Sequence, residues 1–208
     1  MKLKKKTKVI MIVTIIGLIL LGIGFLVAKK ITTKEVEVEA PKIEKTISKY
    51  EYSLKENKSK RYKSMFKELE KILLKEPVND EEYARKVAEL FIYDFYTLSE
   101  KTSKADVGGV DFIHPDALQN FLLNAEDTYY KYVESNLYGE RIQKLPTVDL
   151  INIETISPIE FAYKNEKKLG YEVKINWTYT DQEFSNYQKN GTITMIKEGI
   201  KYYIVELQ

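Results

Sequence analysis

"YEVKINWTYT", residues 171–180, decides how this chain folds. Tyr171, Val173, Ile175, Trp177 and Tyr179 alternate with Glu172, Lys174, Asn176, Thr178 and Thr180. A period of two means a strand with one dry face and one wet face, which is the habit of antiparallel sheets. The same period continues on both sides. "TVDLINIETI" and "IEFAYKN" precede it, separated by Ser157-Pro158. "GTITMIK" and "IKYYIVELQ" follow, joined at Glu198-Gly199, a hairpin signal. The expectation is about five consecutive antiparallel strands from Leu145 to the C-terminus.

Upstream the period changes to that of a helix. Asn79 and Glu82 have the spacing of a capping pair, and Asp80 and Glu81 suit the positive end of a helix dipole. Tyr83, Val87, Leu90, Phe91 and Leu98 then share one face. A second helix is expected from Pro115, a good first helical residue, to Gly139. Its apolar stripe is Leu118, Phe121, Leu122, Ala125, Tyr129, Tyr132 and Val133. Helices followed by a separate antiparallel sheet make an α+β domain.

Between these helices lies "DVGGVDFIHPD", residues 106–116, with a glycine pair and the chain's single histidine. Gly108 and Gly109 read as a turn into or out of a short edge strand, since glycine adopts positive φ at little cost. A phosphate-binding loop needs more glycines and a helix directly after them, and Val110-Asp111-Phe112 does not start one. His114 precedes a proline and is biased away from helical angles. A helix cap or a surface position is its bland role, and a ligand contact is the sharper one. Asp94 is the second candidate. At about 100° per residue it falls over Val87 and Leu98, within the apolar face. A lone buried carboxylate is costly, so it either meets donors held by the fold or serves as a general base with a raised pKa.

The N-terminal part reads differently. Residues 9–28, "VIMIVTIIGLILLGIGFLVA", carry no charge, and about 20 apolar residues match the hydrocarbon core of a bilayer. Lys2, Lys4, Lys5, Lys6 and Lys8 precede them, which orients the N-terminus to the cytoplasm and the rest of the chain to the extracytoplasmic side. Signal peptides have shorter apolar cores, so an uncleaved single-pass anchor is expected. From Pro41, Ile43, Ile47, Tyr50 and Leu54 follow helical spacing, and Tyr62, Phe66, Leu69 and Leu73 repeat it. The expected layout is a basic tail at 1–8, a transmembrane helix at 9–28, a helical linker or stalk at 29–77 and an α+β domain at 78–208.

Composition excludes several function classes. Lysine plus arginine number 33 against 31 acidic residues, a net charge of +2, which gives a nucleic-acid partner no support. With no cysteine and one histidine, neither a disulfide framework nor a zinc centre is expected, and no cofactor motif occurs. No G-x-S-x-G elbow presents a serine to His114. The expectation is a protein without enzymatic activity.

The order helix, helix, short "VGGVDF" link and consecutive strands resembles the cone-shaped domain of nuclear transport factor 2-like (NTF2-like) proteins over residues 78–208. The resemblance implies helices packed into the concave face of a curved antiparallel sheet. The layout of basic tail, anchor, linker and cone is similar to bitopic assembly subunits of type IV secretion and conjugation machines. That implies an extracytoplasmic interaction or scaffold domain with protein partners in the cell envelope. A second hypothesis is a small-molecule-binding or enzymatic cone using Asp94. A third is a surface-sensing module in which exposed aromatics stack on sugars, although Trp177 shares its face with four other apolar or aromatic residues and suits a core.

Overall fold

The computed structural model describes residues 41–208, which form one compact unit. Three helices and six strands build it. Strands β1 (Ile43–Ile47) and β2 (Tyr52–Lys55) pair as an antiparallel hairpin. Helix α1 spans Lys60–Leu73, α2 Asp80–Tyr96 and α3 Pro115–Asp127. Strands β3 (Val148–Tyr163), β4 (Glu166–Tyr179), β5 (Asn190–Glu198) and β6 (Lys201–Leu207) form a four-stranded antiparallel meander.

The α+β class holds, but the expected architecture needs correction. Among the described residues, no helix is long and apolar enough to cross a membrane, and the segment 9–28 lies outside the described residues. The helical linker is also corrected. Residues 43–55 are a hairpin, because Tyr50, Tyr52 and Leu54 are buried at a period of two and Glu51 turns the chain at φ 55°. Isoleucine, threonine and tyrosine favour that extended form, and the apparent helical spacing across Ile43 and Ile47 is incidental. Helix α1 does form, with Ser59 accepting a bond from the Tyr62 amide. Its face of Tyr62, Phe66, Leu69 and Leu73 is buried in the same core as α2, so residues 41–77 are part of the domain.

Helix α2 starts as its sequence indicates, with the Asn79 side chain accepting from the Glu82 amide at 3.0 Å. Tyr83, Ala84, Val87, Ala88, Leu90, Phe91 and Ile92 are all fully buried. Burial around most of its circumference makes α2 the central rod of the fold. It packs on α1 on one side and on β3 and β4 on the other. The sheet meets it with Val173, Ile175 and Trp177, the residues of the opening alternation.

Four strands replace the expected five because β3 continues through Ser157-Pro158. It is the edge strand, where a proline that lacks an N–H needs no second ladder partner. Helix α3 stops at Asp127 rather than Gly139. Leaving the helix turns Tyr130 inward, where its hydroxyl donates to the Phe95 carbonyl at 2.6 Å, and leaves Tyr132 exposed. The last strand, β6, lies along β5, and its far side meets Ile113 through an isolated parallel bridge to Ile204.

Candidate functional site

Asp94 is buried, and three donors converge on it. Its Oδ1 accepts from the Lys58 Nζ at 2.5 Å and the Lys101 Nζ at 2.7 Å, and its Oδ2 accepts from the Gly109 amide at 2.8 Å. Lys58 comes from the turn before α1, Lys101 from the turn after α2 and Gly109 from the glycine pair, so one carboxylate fastens three segments. Burial pushes the Asp94 pKa up, but the adjacent Lys101 and Lys58 ammonium groups outweigh it and hold the carboxyl well below the usual range. The cavity that Asp94, Lys58, Lys101 and Gly109 line with Ser53, Asn57 and Asp111 measures about 30 Å³, room for roughly one water. A general base needs an oxygen facing a substrate proton, and both Asp94 oxygens face donors held by the fold.

The glycine pair is the turn that its sequence suggests. Gly109 has φ 76°, and the expected edge strand after it reduces to the single Ile113 bridge. Gly108 is required for a different reason: a Cβ there would lie 2.1 Å from the Asp94 carbonyl oxygen and 2.6 Å from the Lys101 Nζ. Its amide donates to the Tyr130 hydroxyl at 3.1 Å. Gly108→Ala is therefore expected to cost about 2–3 kcal/mol by overpacking, read as a lower denaturant midpoint with an unchanged slope.

His114 caps α3 through its ring. Its Nδ1 accepts from the Asp116 amide at 3.2 Å and lies 3.1 Å from the Tyr163 hydroxyl, while Nε2 lies 3.2 Å from Glu198. An accepting Nδ1 places the neutral ring's proton on Nε2, pointing at Glu198. That hydrogen bond, with help from Lys168, lowers the Glu198 pKa. The backbone amide of His114 donates to Ile204 at 3.0 Å. Far from a free surface ligand, His114 joins the α3 start, β6 and the β3–β4 hairpin tip, where Lys164 also pairs with Asp116. Asp94 and His114 thus sit in two separate structural junctions, each with its polar atoms engaged.

The open feature of the molecule lies elsewhere, in residues that the sequence assigned to a helix stripe and a strand end. A cleft of about 450 Å³ is lined by Tyr96, Tyr129, Tyr132, Leu145, Tyr179 and Tyr187, among others. Trp177 lies behind Tyr96, with ring centroids 4.3 Å apart, and is 2% exposed, so it packs in the core. Its Nε1 donates to the Tyr179 hydroxyl at 2.9 Å, which donates on to the Gln188 carbonyl at 2.8 Å. The Tyr96 hydroxyl is buried without a hydrogen-bond partner. Tyr132 in the lining and Leu137, Tyr138 and Ile142 after it expose 76%, 45%, 69% and 95% of their surface. The sequence signal was the tyrosine density of "DTYYKY" and "TYTDQEFSNY". It gained meaning only once α3 ended at Asp127. Among the described residues, no cluster of His, Asp and Glu is arranged to hold a metal ion. No protein-family model, curated protein or solved structure matches the chain.

Proposed function

We propose that this chain is an extracytoplasmic interaction domain, held at the membrane by the apolar run 9–28, which scaffolds a protein assembly in the cell envelope. The observation that carries the reading is the set of exposed apolar side chains Tyr132, Leu137, Tyr138 and Ile142 in the segment after α3, of which Tyr132 also lines the tyrosine cleft. Large apolar side chains exposed close together along one segment are a feature of protein-binding sites. Five lysines before residue 9 support the orientation. Within residues 78–208, α2 and α3 preceding an antiparallel meander support the resemblance to NTF2-like domains, and with it the secretion or conjugation class of partner.

The chain has no cysteine, so one introduced thiol tests both location and contact. Intact protoplasts would be treated with a membrane-impermeant thiol cross-linker. Ile142→Cys is expected to give a discrete adduct with a second protein. Leu74→Cys, exposed on α1's end, is expected to be labelled without that adduct. Labelling only after lysis would overturn the orientation, and labelling of Ile142→Cys without an adduct would overturn the docking site.

A further inference from the structure

Helix α1 turns an unbalanced charge to solvent. Tyr62, Phe66, Leu69 and Leu73 bury one side of it. At about 100° per residue, Lys60, Ser64, Lys67 and Lys71 fall on the opposite side, and all four are exposed. The two acids of α1 lie on its flanks, where Glu70 pairs with Lys45 of β1 at 2.5 Å and Glu68 with Lys86 of α2 at 2.8 Å. Along the crest between them, lysine is the only charged residue. Lys60, Lys67 and Lys71 make no ion pair among the described residues, whereas Lys63, nearer β1, pairs with Glu44.

The imbalance extends over the whole segment. Residues 41–77 hold 11 lysines and arginines against 6 acids, a net charge of +5. Residues 78–208 hold 14 against 22, a net charge of −8. The chain's total of +2 hides that division. We propose that the lysine crest of α1 docks on a bilayer surface of anionic phospholipid headgroups. This inference rests on the anchor of the proposed function and goes beyond it, because it gives the folded domain a membrane contact of its own.

Connectivity and charge select the occupant. Residues 29–40 join the apolar run to Pro41, and 12 residues reach at most about 40 Å when fully extended. The chain enters the domain beside α1, since Glu44 and Lys45 of β1 pair with Lys63 and Glu70 on one flank of the helix, each at 2.5 Å. An anionic bilayer attracts lysines that come within a screening length of it, each shifting the docked-to-free ratio about fivefold. The same surface repels the acidic remainder, so the charge division favours one orientation. Protein interfaces are depleted in lysine and enriched in aromatic residues and arginine, and the crest shows the reverse. Lysine is a point charge on a flexible stem, which suits a fluid plane of headgroups without fixed geometry. The contact is reversible, so a thiol placed at Leu74 stays open to reagents.

Leu74 directly follows α1, is 74% exposed, and offers a reporter position in a chain without cysteine. Full-length Leu74→Cys, labelled with bimane, would be reconstituted as one chain per nanodisc. The discs would be phosphatidylcholine alone or its mixture with phosphatidylglycerol, each holding the same fraction of a lipid with a nitroxide quencher on its headgroup. Stronger quenching is expected in the anionic discs. Salt at about 1 M, which shortens the screening length to about 3 Å, should erase the difference. Lys60→Gln, Lys67→Gln and Lys71→Gln together, all at exposed positions, should lower the docked-to-free ratio about a hundredfold. Equal quenching in the two discs, or anionic quenching that the three glutamines leave intact, would overturn the proposal. So would a reporter unquenched in both discs, the result if the crest is reserved for a second copy or an acidic protein. A chain that enters neither disc would overturn the anchor and this inference with it, whereas insertion without quenching leaves the anchor standing.

Discussion

A chain that ends at Gly199 is expected to have no folded state. The missing strand, β6, pairs with β5 from Lys201 to Leu207, and the adjoining Gln208 exchanges two backbone bonds with Thr192. Tyr202 and Ile204 are 3% and 2% exposed, and burying each side chain stabilises the fold by about 1.5–3 kcal/mol. Deletion also removes bonds made outside the sheet. The Tyr52 hydroxyl loses the Tyr202 carbonyl, the Tyr83 hydroxyl loses the Tyr202 amide, and the His114 amide loses the Ile204 carbonyl. The two tyrosine hydroxyls still bond each other at 2.7 Å, but the His114 amide is left without a partner, at roughly 1–3 kcal/mol. These losses together reach the 5–15 kcal/mol that domains typically have. Circular dichroism should show no cooperative unfolding transition. A truncated chain that melts like the intact one would refute the placement of β6.

Asp94→Leu is expected to be the most damaging single substitution at the junction. It leaves the buried Lys101 ammonium, the half-buried Lys58 ammonium and the Gly109 amide without their shared acceptor, and breaking a buried ion pair from one side costs about 3–5 kcal/mol. Asp94→Asn keeps the shape but loses the charge, at about 1–3 kcal/mol. The pH dependence follows from the lowered pKa. The folded carboxyl lies below its unfolded value, so protonation favours the unfolded chain. Its contribution is whole above an unfolded pKa of about 3.9 and is lost as the pH falls through the lower folded value. The stability gap between the parent chain and Asp94→Leu should therefore be constant near neutrality and close in acid. An Asp94→Asn protein more stable than the parent would contradict the structural role and restore the case for a tuned catalytic carboxylate.

The legible parts of the sequence were those whose local signals agree with the tertiary packing. The alternation from Tyr171 to Tyr179 became β4, the Asn79 cap began α2, and Pro115 began α3. Asp94 was legible as a buried carboxylate needing donors, but not that two of them are lysines, since Lys58 and Lys101 are ordinary polar positions until the fold brings them together. Residues 43–55 misled because isoleucines four apart satisfy a helix while Tyr50, Tyr52 and Leu54 satisfy a strand, and only a partner surface decides between them. The cleft was hidden for the same reason. Tyr129 and Tyr132 continue the α3 stripe on paper, and the bond from the Tyr130 hydroxyl to Phe95 overrides that continuation.

The contact between Tyr52 and Tyr202 spans 150 residues and joins the first hairpin of the domain to its last strand. A ribosome adding about 5–20 residues per second needs roughly 8–30 s to make the intervening chain. Throughout that time Tyr52 and Tyr83 lack the backbone that covers them. The domain is therefore obliged to stay incomplete until β6 has left the ribosome, so its first hairpin waits for its last strand.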